Sequence, residues 1–312
     1  MPSPKSKTRP RPPRRPRKPR ATFRFEAIGT AWSIDIYEPI VDTDAAALLT
    51  AVTDRIEAFD KHYSRFRPDS LISEMAQRPG TYKLPADAKP LLDLYAHMYG
   101  LTDGAMTPLI GQLLTDAGYD AFYSLEPGPL RPVPAWDDVL EYKFPNLTLK
   151  KPALLDVGAA GKGYLVDIIA ELIAGRGIKS FCIDAGGDIV QRDAGSRPLR
   201  VGLEHPGVTG HVIGVATITN QSLCGSAGNR RAWGAFNHIM DPHSRTSPKH
   251  IKALWVIADT ALLADALATC LFFVSPAKLA RYTFEYAIVY QDYSLGRSPG
   301  FPATFFTETR RS

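Results

Sequence analysis

Cysteine is scarce: Cys182, Cys224 and Cys270 are the only three in 312 residues, and no pair has CxxC spacing. An odd count without such spacing excludes a disulfide framework and a zinc ribbon. The thiols therefore read as buried groups in a reducing compartment. No apolar run approaches the roughly 20 residues that a membrane-spanning helix needs. The GxSxG elbow of a serine hydrolase is missing, as are the Walker spacing and the GxGxxG fingerprint. Residues 1–20 contain no acid and no apolar block. That excludes a packed core there and also a secretory signal, which needs an apolar segment of roughly 7–15 residues.

This stretch, MPSPKSKTRPRPPRRPRKPR, is expected to be an extended, solvated tail over 1–20, with one folded domain over 21–312. It also distorts the charge balance. The chain has a net charge of +5 and a pI near 9.0, yet nine of its 37 Lys and Arg lie in the tail. The remaining 28 basic residues face 32 acidic ones. A nucleic-acid partner is thus not expected of the folded part. Its hydrophobic fraction of 45% is that of an ordinary globular chain.

Periodicity supplies the elements. Phe23 to Tyr37 alternates as a strand does, broken at Gly29-Thr30, and Thr43 to Tyr63 carries Leu48, Val52, Ile56 and Phe59 at helical spacing. Leu71–Met75 and Pro90–Leu101 read as further helices. Ala117 to Trp136, rich in proline, glycine and tyrosine, reads as irregular and exposed. Strands are predicted at Leu199–Leu203, Val212–Ile218 and Leu254–Ile257, with Phe284–Tyr290 the last. Ser222–Trp233 reads as a loop and Leu262–Phe273 as an apolar helix. The pattern is mixed α+β, with antiparallel strands in the majority.

The stretch from Leu154 to Ile189 reads as strand, glycine turn, helix, strand. Its turn, Gly158-Ala159-Ala160-Gly161-Lys162-Gly163, precedes a helix whose N-terminus would attract an anion such as a phosphate. An ordinary crossover whose glycines only tighten turns fits these residues as well. Asp265 is the only charge in ALLADALATCLFF and shares a helix face with Thr269. A carboxylate there is costly unless paired, bound to metal or turned to solvent, and its oxygens suit Mg²⁺. The alternative is a carboxylate that caps the helix while Thr269 bonds back to a carbonyl. His238 and Asp241 bring an imidazole and a carboxylate close in sequence, ahead of Pro242, as proton transfer would require. A structural histidine in a turn is the competing reading.

Taken together, these segments resemble the ApbE family, the FAD:protein FMN transferases. The matching pieces come in family order: AIGTAW (27–32), HYSRFRPDSLISEM (62–75), TDGAMTP (102–108), LDVGAAGKGYLVD (155–167), DAGGDI (184–189), GLEHP (202–206), NHIMDP (237–242) and ADALATCLF (264–272). The resemblance implies a two-lobed fold with mainly antiparallel sheets and flanking helices. It also implies Mg²⁺-dependent cleavage of FAD, passage of FMN to a Thr or Ser of an acceptor flavoprotein, and release of AMP. Flavin contacts would then fall at Ile28, Tyr63, Asp103, Gly104, Ala105, Asp156, Lys162 and Ile239. Metal ligands would be Ala159 through its carbonyl, Asp265 and Thr269, with Ala268 at a position that is Asp in some members. His238 would take the proton of the acceptor hydroxyl. An FAD pyrophosphatase and a non-catalytic FAD-binding protein are the alternatives.

The chain departs from the family pattern at Thr107, where Asp is common, at Asp241-Pro242-His243-Ser244-Arg245 and at Gly225-Ser226-Ala227. Acceptor motifs of the family resemble Asp-Gly-Ala-x-Thr, which Asp103 to Thr107 itself matches. Self-flavinylation of Thr107 is one reading, and a simple turn cap before Pro108 is the other. Secreted members carry lipoprotein signals; without one here, a cytoplasmic location is expected.

Overall fold

A computed structural model describes residues 18–306. The expected tail, 1–20, lies outside the described residues apart from its last three. One antiparallel sheet of eight strands organises the fold, in the order Ala21–Ala27, Thr30–Ile36, Phe181–Ala185, Asp188–Arg192, Ser222–Ala227, Ile251–Ala258, Glu285–Tyr290, Leu295–Arg297. Two three-stranded sheets (Ala303–Phe305, Val212–Ile218, Leu199–Glu204; and Gly80–Lys83, Asn146–Leu149, Leu140–Lys143) and a two-stranded one (Ala232–Trp233, Phe236–Asn237) complete the sheets of this α+β architecture among the described residues.

The large sheet is buried on both faces, and strand alternation divides its side chains between two cores. Along Ile251–Ala258, Leu254 and Val256 pack with the helices, whereas Ala253, Trp255 and Ile257 pack against Leu203, Ala216 and Ile218 of the second sheet. Ile183 and Cys182, Val190 and Ile189, and Cys224 and Leu223 divide in the same way. This explains why the central strands read as continuous apolar runs. The helical layer consists of Asp42–Tyr63, Ala88–Leu101, Gly161–Gly175 and Ala261–Cys270. Among the described residues no helix is long and apolar enough to cross a membrane.

Three expectations are corrected. Ser222–Ala227 is a central strand, not a loop: it pairs with both Asp188–Val190 and Ala253–Ala258. Its small residues disguised it, but Gly225 is small because the Trp255 ring lies over it, 3.1 Å from where a Cβ would stand. Leu154–Val157 forms no strand; the Asp156 amide instead bonds to the Pro108 carbonyl at 2.7 Å. Glu285–Tyr290 is not the last strand, because two short ones follow it.

Two glycines set close approaches that no other residue permits. A Cβ on Gly186 would collide with the Thr30 hydroxyl, so the Ala185–Asp188 turn lies directly on the first hairpin. A Cβ on Gly163 would strike the Ala261 carbonyl oxygen and lie 2.6 Å from the Cβ of Asp265. The Gly161–Gly175 and Ala261–Cys270 helices therefore meet almost backbone to backbone. Gly163→Ala should force them apart and lower stability by about 1–3 kcal/mol, read from urea unfolding. An unchanged midpoint would show that the contact relaxes freely.

Candidate active site

The Ala261–Cys270 helix carries Asp265 and is held at its start by two side chains. Thr260 caps it through the Leu263 amide, at 3.2 Å. The Asp167 carboxylate, from the neighbouring helix, accepts the amides of Ala261 (2.9 Å) and Leu262 (2.7 Å). Asp265 is therefore not the cap. It is buried, and its Oδ2 accepts the Gly163 amide at 2.9 Å, in the first turn of the Gly161–Gly175 helix. The positive end of that helix dipole thus meets a carboxylate of the protein itself. Burial, and next the Asp188 charge, raise the pKa of Asp265 well above the usual carboxylate range, with Lys162 opposing.

Thr269, one turn on, donates its hydroxyl to the Ala159 carbonyl at 3.2 Å, and not to its own helix. A backbone oxygen, a hydroxyl and a buried carboxylate thus converge on one wall. This all-oxygen set fits a hard divalent cation that takes its remaining ligands from water and substrate phosphates. No cluster of three His, Cys, Asp or Glu that could hold a metal exists among the described residues, so Asp265 would be the one charged ligand of such a set. Ala268 is fully buried in the helical core and brings no side-chain donor.

Lys162 extends from the same first turn. Its ammonium is held by Asp188 Oδ2 and by the Ala185 carbonyl at 3.1 Å. Asp188 is 1% exposed, and its other oxygen is buried without a hydrogen-bond partner. Burial alone would lower the pKa of Lys162; the charges of Asp188 and Asp265 outweigh it and raise the value. An ammonium has three donors, so two protein bonds leave a third for a ligand.

Ala159, Lys162, Asp265 and Thr269 line a cavity of about 340 Å³, together with Ala105, Asp156, Arg231, His238 and Ile239. An adjoining recess of about 390 Å³ is lined by Ile28, Tyr63, Arg65, Phe66, Tyr119 and Tyr123, and it shares Lys162 and Asp156 with the cavity. Ile28 and Gly29 turn the first hairpin with φ of 45° and 71°. That is the left-handed pair of a two-residue turn, which a β-branched residue adopts only under strain. Asp156 accepts the Gly158 amide (2.7 Å) on one oxygen and Arg65 (2.5 Å) on the other, so it shapes the glycine turn. Tyr63 donates to Asp87 at 2.7 Å.

His238 is half-buried, and its Nδ1 is buried without a hydrogen-bond partner. Burial, and next the charge of Arg231, push its pKa down to about 4, so the imidazole is neutral at pH 7. The expected closeness to Asp241 is not realised. Asp241 accepts the His243 amide (2.9 Å) and the Ser244 hydroxyl (3.0 Å), shaping its own turn. Asp103 also stands apart, its side chain 77% exposed and paired with Lys278 at 2.5 Å. Gly104, at φ 85°, turns the chain so that Ala105 reaches the cavity. Thr107 lines the cavity but is 4% exposed, and its hydroxyl accepts the Leu109 amide at 3.2 Å, the geometry of a cap.

Sequence reasoning left several wall residues without a role. Arg65 lies 4.1 Å from the Phe66 ring centroid and 4.9 Å from that of Tyr119. Arg231 donates to the Tyr119 hydroxyl oxygen at 2.9 Å and to the Gly29 carbonyl at 3.4 Å. HYSRFRPDS held the signal for Arg65, since an arginine beside an aromatic in a turn is poorly placed for any core.

The fold and the cavity define an α+β protein that can set a phosphate-bearing ligand against one buried carboxylate, a held lysine and a neutral histidine. The chain belongs to the ApbE family, whose family model matches residues 28–288. It is similar to the FAD:protein FMN transferase of Vibrio cholerae, 24% identical over 261 residues, 78% of each chain. It is also similar to that of Escherichia coli K12, 24% identical over 280 residues, 81% of this chain and 78% of the other. The ApbE protein of Thermotoga maritima shares the fold with a TM-score of 0.77 at 20% identity, covering 89% of this chain and 97% of that one. The flavin transferase ApbE of Vibrio cholerae gives 0.74 at 20% identity, covering 90% and 97%.

Asp188→Asn should strand the Lys162 ammonium and lower stability by about 3 kcal/mol in urea unfolding; a neutral result would mean that the pair contributes nothing net. The imidazole of His238 titrates near 4 in the fold and near 6.5 when unfolded. Its stabilisation is therefore complete above pH 6.5 and lost as the pH falls to 4. Asp167, raised by burial to about 6, has the opposite sign: its contribution is complete below about pH 4 and is lost as the pH rises through 6. His238→Asn should therefore reduce the loss of stability between pH 6.5 and 4 by up to about 3 kcal/mol, read from melts across that range. Parallel curves for variant and parent would refute the neutral imidazole.

Proposed function

We propose that this chain transfers FMN from FAD to a Thr or Ser hydroxyl of an acceptor flavoprotein and releases AMP. The observation that carries this reading is the convergence of the Ala159 carbonyl, Asp265 and Thr269 beside Lys162 in the cavity that also holds a neutral His238. The recess and the cavity give an extended dinucleotide two connected compartments, one walled by aromatic rings. Lys162 directs its free donor at the pyrophosphate, and Arg231 adds a second positive charge to the wall.

The acceptor oxygen attacks the FMN-side phosphorus while the bond from that phosphorus to the bridging oxygen breaks, and AMP leaves with the bridging oxygen. The hydroxyl proton passes to the unprotonated His238. A pKa near 4 makes a weak base, but the bound pyrophosphate brings negative charge beside the ring, which raises its basicity. Mg²⁺ held by the Ala159 carbonyl, Asp265 and Thr269 would neutralise charge developing on the pyrophosphate.

The test is incubation with FAD and Mg²⁺, with and without an acceptor domain, followed by chromatography for AMP and FMN and in-gel flavin fluorescence. Labelled acceptor with matching AMP supports the transfer. Equal AMP and free FMN regardless of acceptor identifies a pyrophosphatase, and bound but unchanged FAD identifies a binding protein. Asp265→Ala should abolish AMP release, whereas His238→Ala should slow transfer roughly 10²-fold with a smaller change in FAD binding. Full turnover by the Asp265 variant would refute the metal site. An FMN adduct on the enzyme, seen by intact mass and lost in Thr107→Ala, would establish self-flavinylation over the cap.

A further inference from the structure

Residues 121–129 are all exposed, yet they include Phe122, Tyr123 and Leu125. Phe122 is 93% exposed, the most of any large apolar side chain among the described residues, and Leu125 is 45% exposed. The loop is firmly built. The Asp120 carboxylate accepts the amides of Phe122 (2.8 Å) and Ser124 (3.1 Å). The Leu125 amide bonds to the Gly118 carbonyl at 2.8 Å, and that of Gly128 to Asp116 at 2.8 Å. Tyr123 and Leu125 are both held left-handed, at φ 51° and 55°, a conformation that side-chain-bearing residues rarely adopt.

This geometry gives neighbouring residues different surroundings. Tyr123, though 51% exposed, stacks on Phe66 with ring centroids 5.5 Å apart and planes within 7°, and it lines the recess beside the cavity. Phe122 faces water and lines neither the recess nor the cavity. Exposed apolar residues on a strained, ordered loop at the rim of a site mark a surface that another molecule completes. Glu126 is the only charge in the loop, and nearby Arg131 is neutralised by Asp116 at 2.6 Å, so the contact on offer is apolar.

We propose that the 121–129 loop, led by Phe122 and Leu125, is the docking surface for the acceptor protein, which lays an apolar patch on it beside the hydroxyl to be modified. The proposal rests on the transfer reading above. A folded acceptor that delivers a hydroxyl into the cavity must cover its rim, and this apolar rim is continuous with the site through Tyr123.

The test compares the parent with a Phe122→Ala/Leu125→Ala variant. The probes are an FMN-free acceptor domain that displays Asp-Gly-Ala-x-Thr and the isolated peptide of that sequence. Binding of the domain, followed by fluorescence anisotropy without turnover, should weaken at least 10-fold in the variant and depend little on salt. Flavinylation of the peptide, which brings no folded apolar patch to lay on the loop, and AMP release without acceptor should not change. Equal affinity of parent and variant for the domain would overturn the proposal, and so would an equal loss for domain and peptide. A parent that dimerises in sedimentation while the variant does not, with domain binding unaltered, would assign the surface to a second copy and also overturn it. A domain that binds through the loop but is never flavinylated would overturn the transfer reading and leave the docking surface standing.

Discussion

The contact at Gly163 is the constraint on which the site depends. Without a Cβ there, the Gly161–Gly175 and Ala261–Cys270 helices approach closely enough for the Gly163 amide to reach the Asp265 carboxylate at 2.9 Å. Any larger residue would separate the two helices, and with them Lys162 from Asp265 and Ala159 from Thr269. Asp167 reinforces the junction from the same helix by holding the amides of Ala261 and Leu262. One short stretch, Ala159 to Asp167, thus contributes a carbonyl to the oxygen-lined wall, the lysine and the positioning of its partner helix.

Charge gives the junction its chemistry. Two buried carboxylates, Asp188 and Asp265, face one half-buried ammonium, Lys162. Burying unequal charges is expensive, and the imbalance shows in Asp265, whose ionised form is disfavoured by burial and by Asp188. A cation at the Asp265 wall would relieve it. Lys162 meanwhile is fixed by Asp188 and stays charged, ready for phosphate. The site has the electrostatics of a place that awaits positive charge at one point and negative charge a short distance away.

Much of this was legible in the sequence, for identifiable reasons. The long helices announced themselves through periodic apolar residues such as Leu48, Val52, Ile56 and Phe59. Asp265 and Thr269 stood out because an apolar helix rarely carries a carboxylate. The hidden parts were those in which tertiary contact overrides composition. Ser222–Ala227 reads as a loop until Trp255 is laid over Gly225. Asp241, beside His238 in sequence, closes a local turn instead, because an Asp can accept amides two residues on. Arg65, Asp188 and the Phe66–Tyr119–Tyr123 rings come together only through the fold, since 91 residues separate Arg65 from Asp156.

The strained backbone is distributed in a way that links these parts. Ile28, Asp103, Tyr123 and Leu125 all carry positive φ without being glycine. Ile28 lines the recess, and Asp103 sits at the turn that brings Ala105 to the cavity. Tyr123 lines the same recess, and Leu125 belongs to the displayed loop. Strain of this kind persists only where surrounding contacts over-determine it. Here the anchors can be named: the Gly186–Thr30 contact behind the first hairpin, the Gly104 amide on the Tyr99 carbonyl at 2.8 Å, and the Asp120 carboxylate under the loop. These four lie beside the cavity, its recess or the rim, whereas Ser196, Asn220, Arg245 and Tyr293, also at positive φ, line neither the cavity nor the recess. The sheet supplies the frame, and at Ile28, Asp103, Tyr123 and Leu125 unfavourable conformations fall in the turns that shape the site.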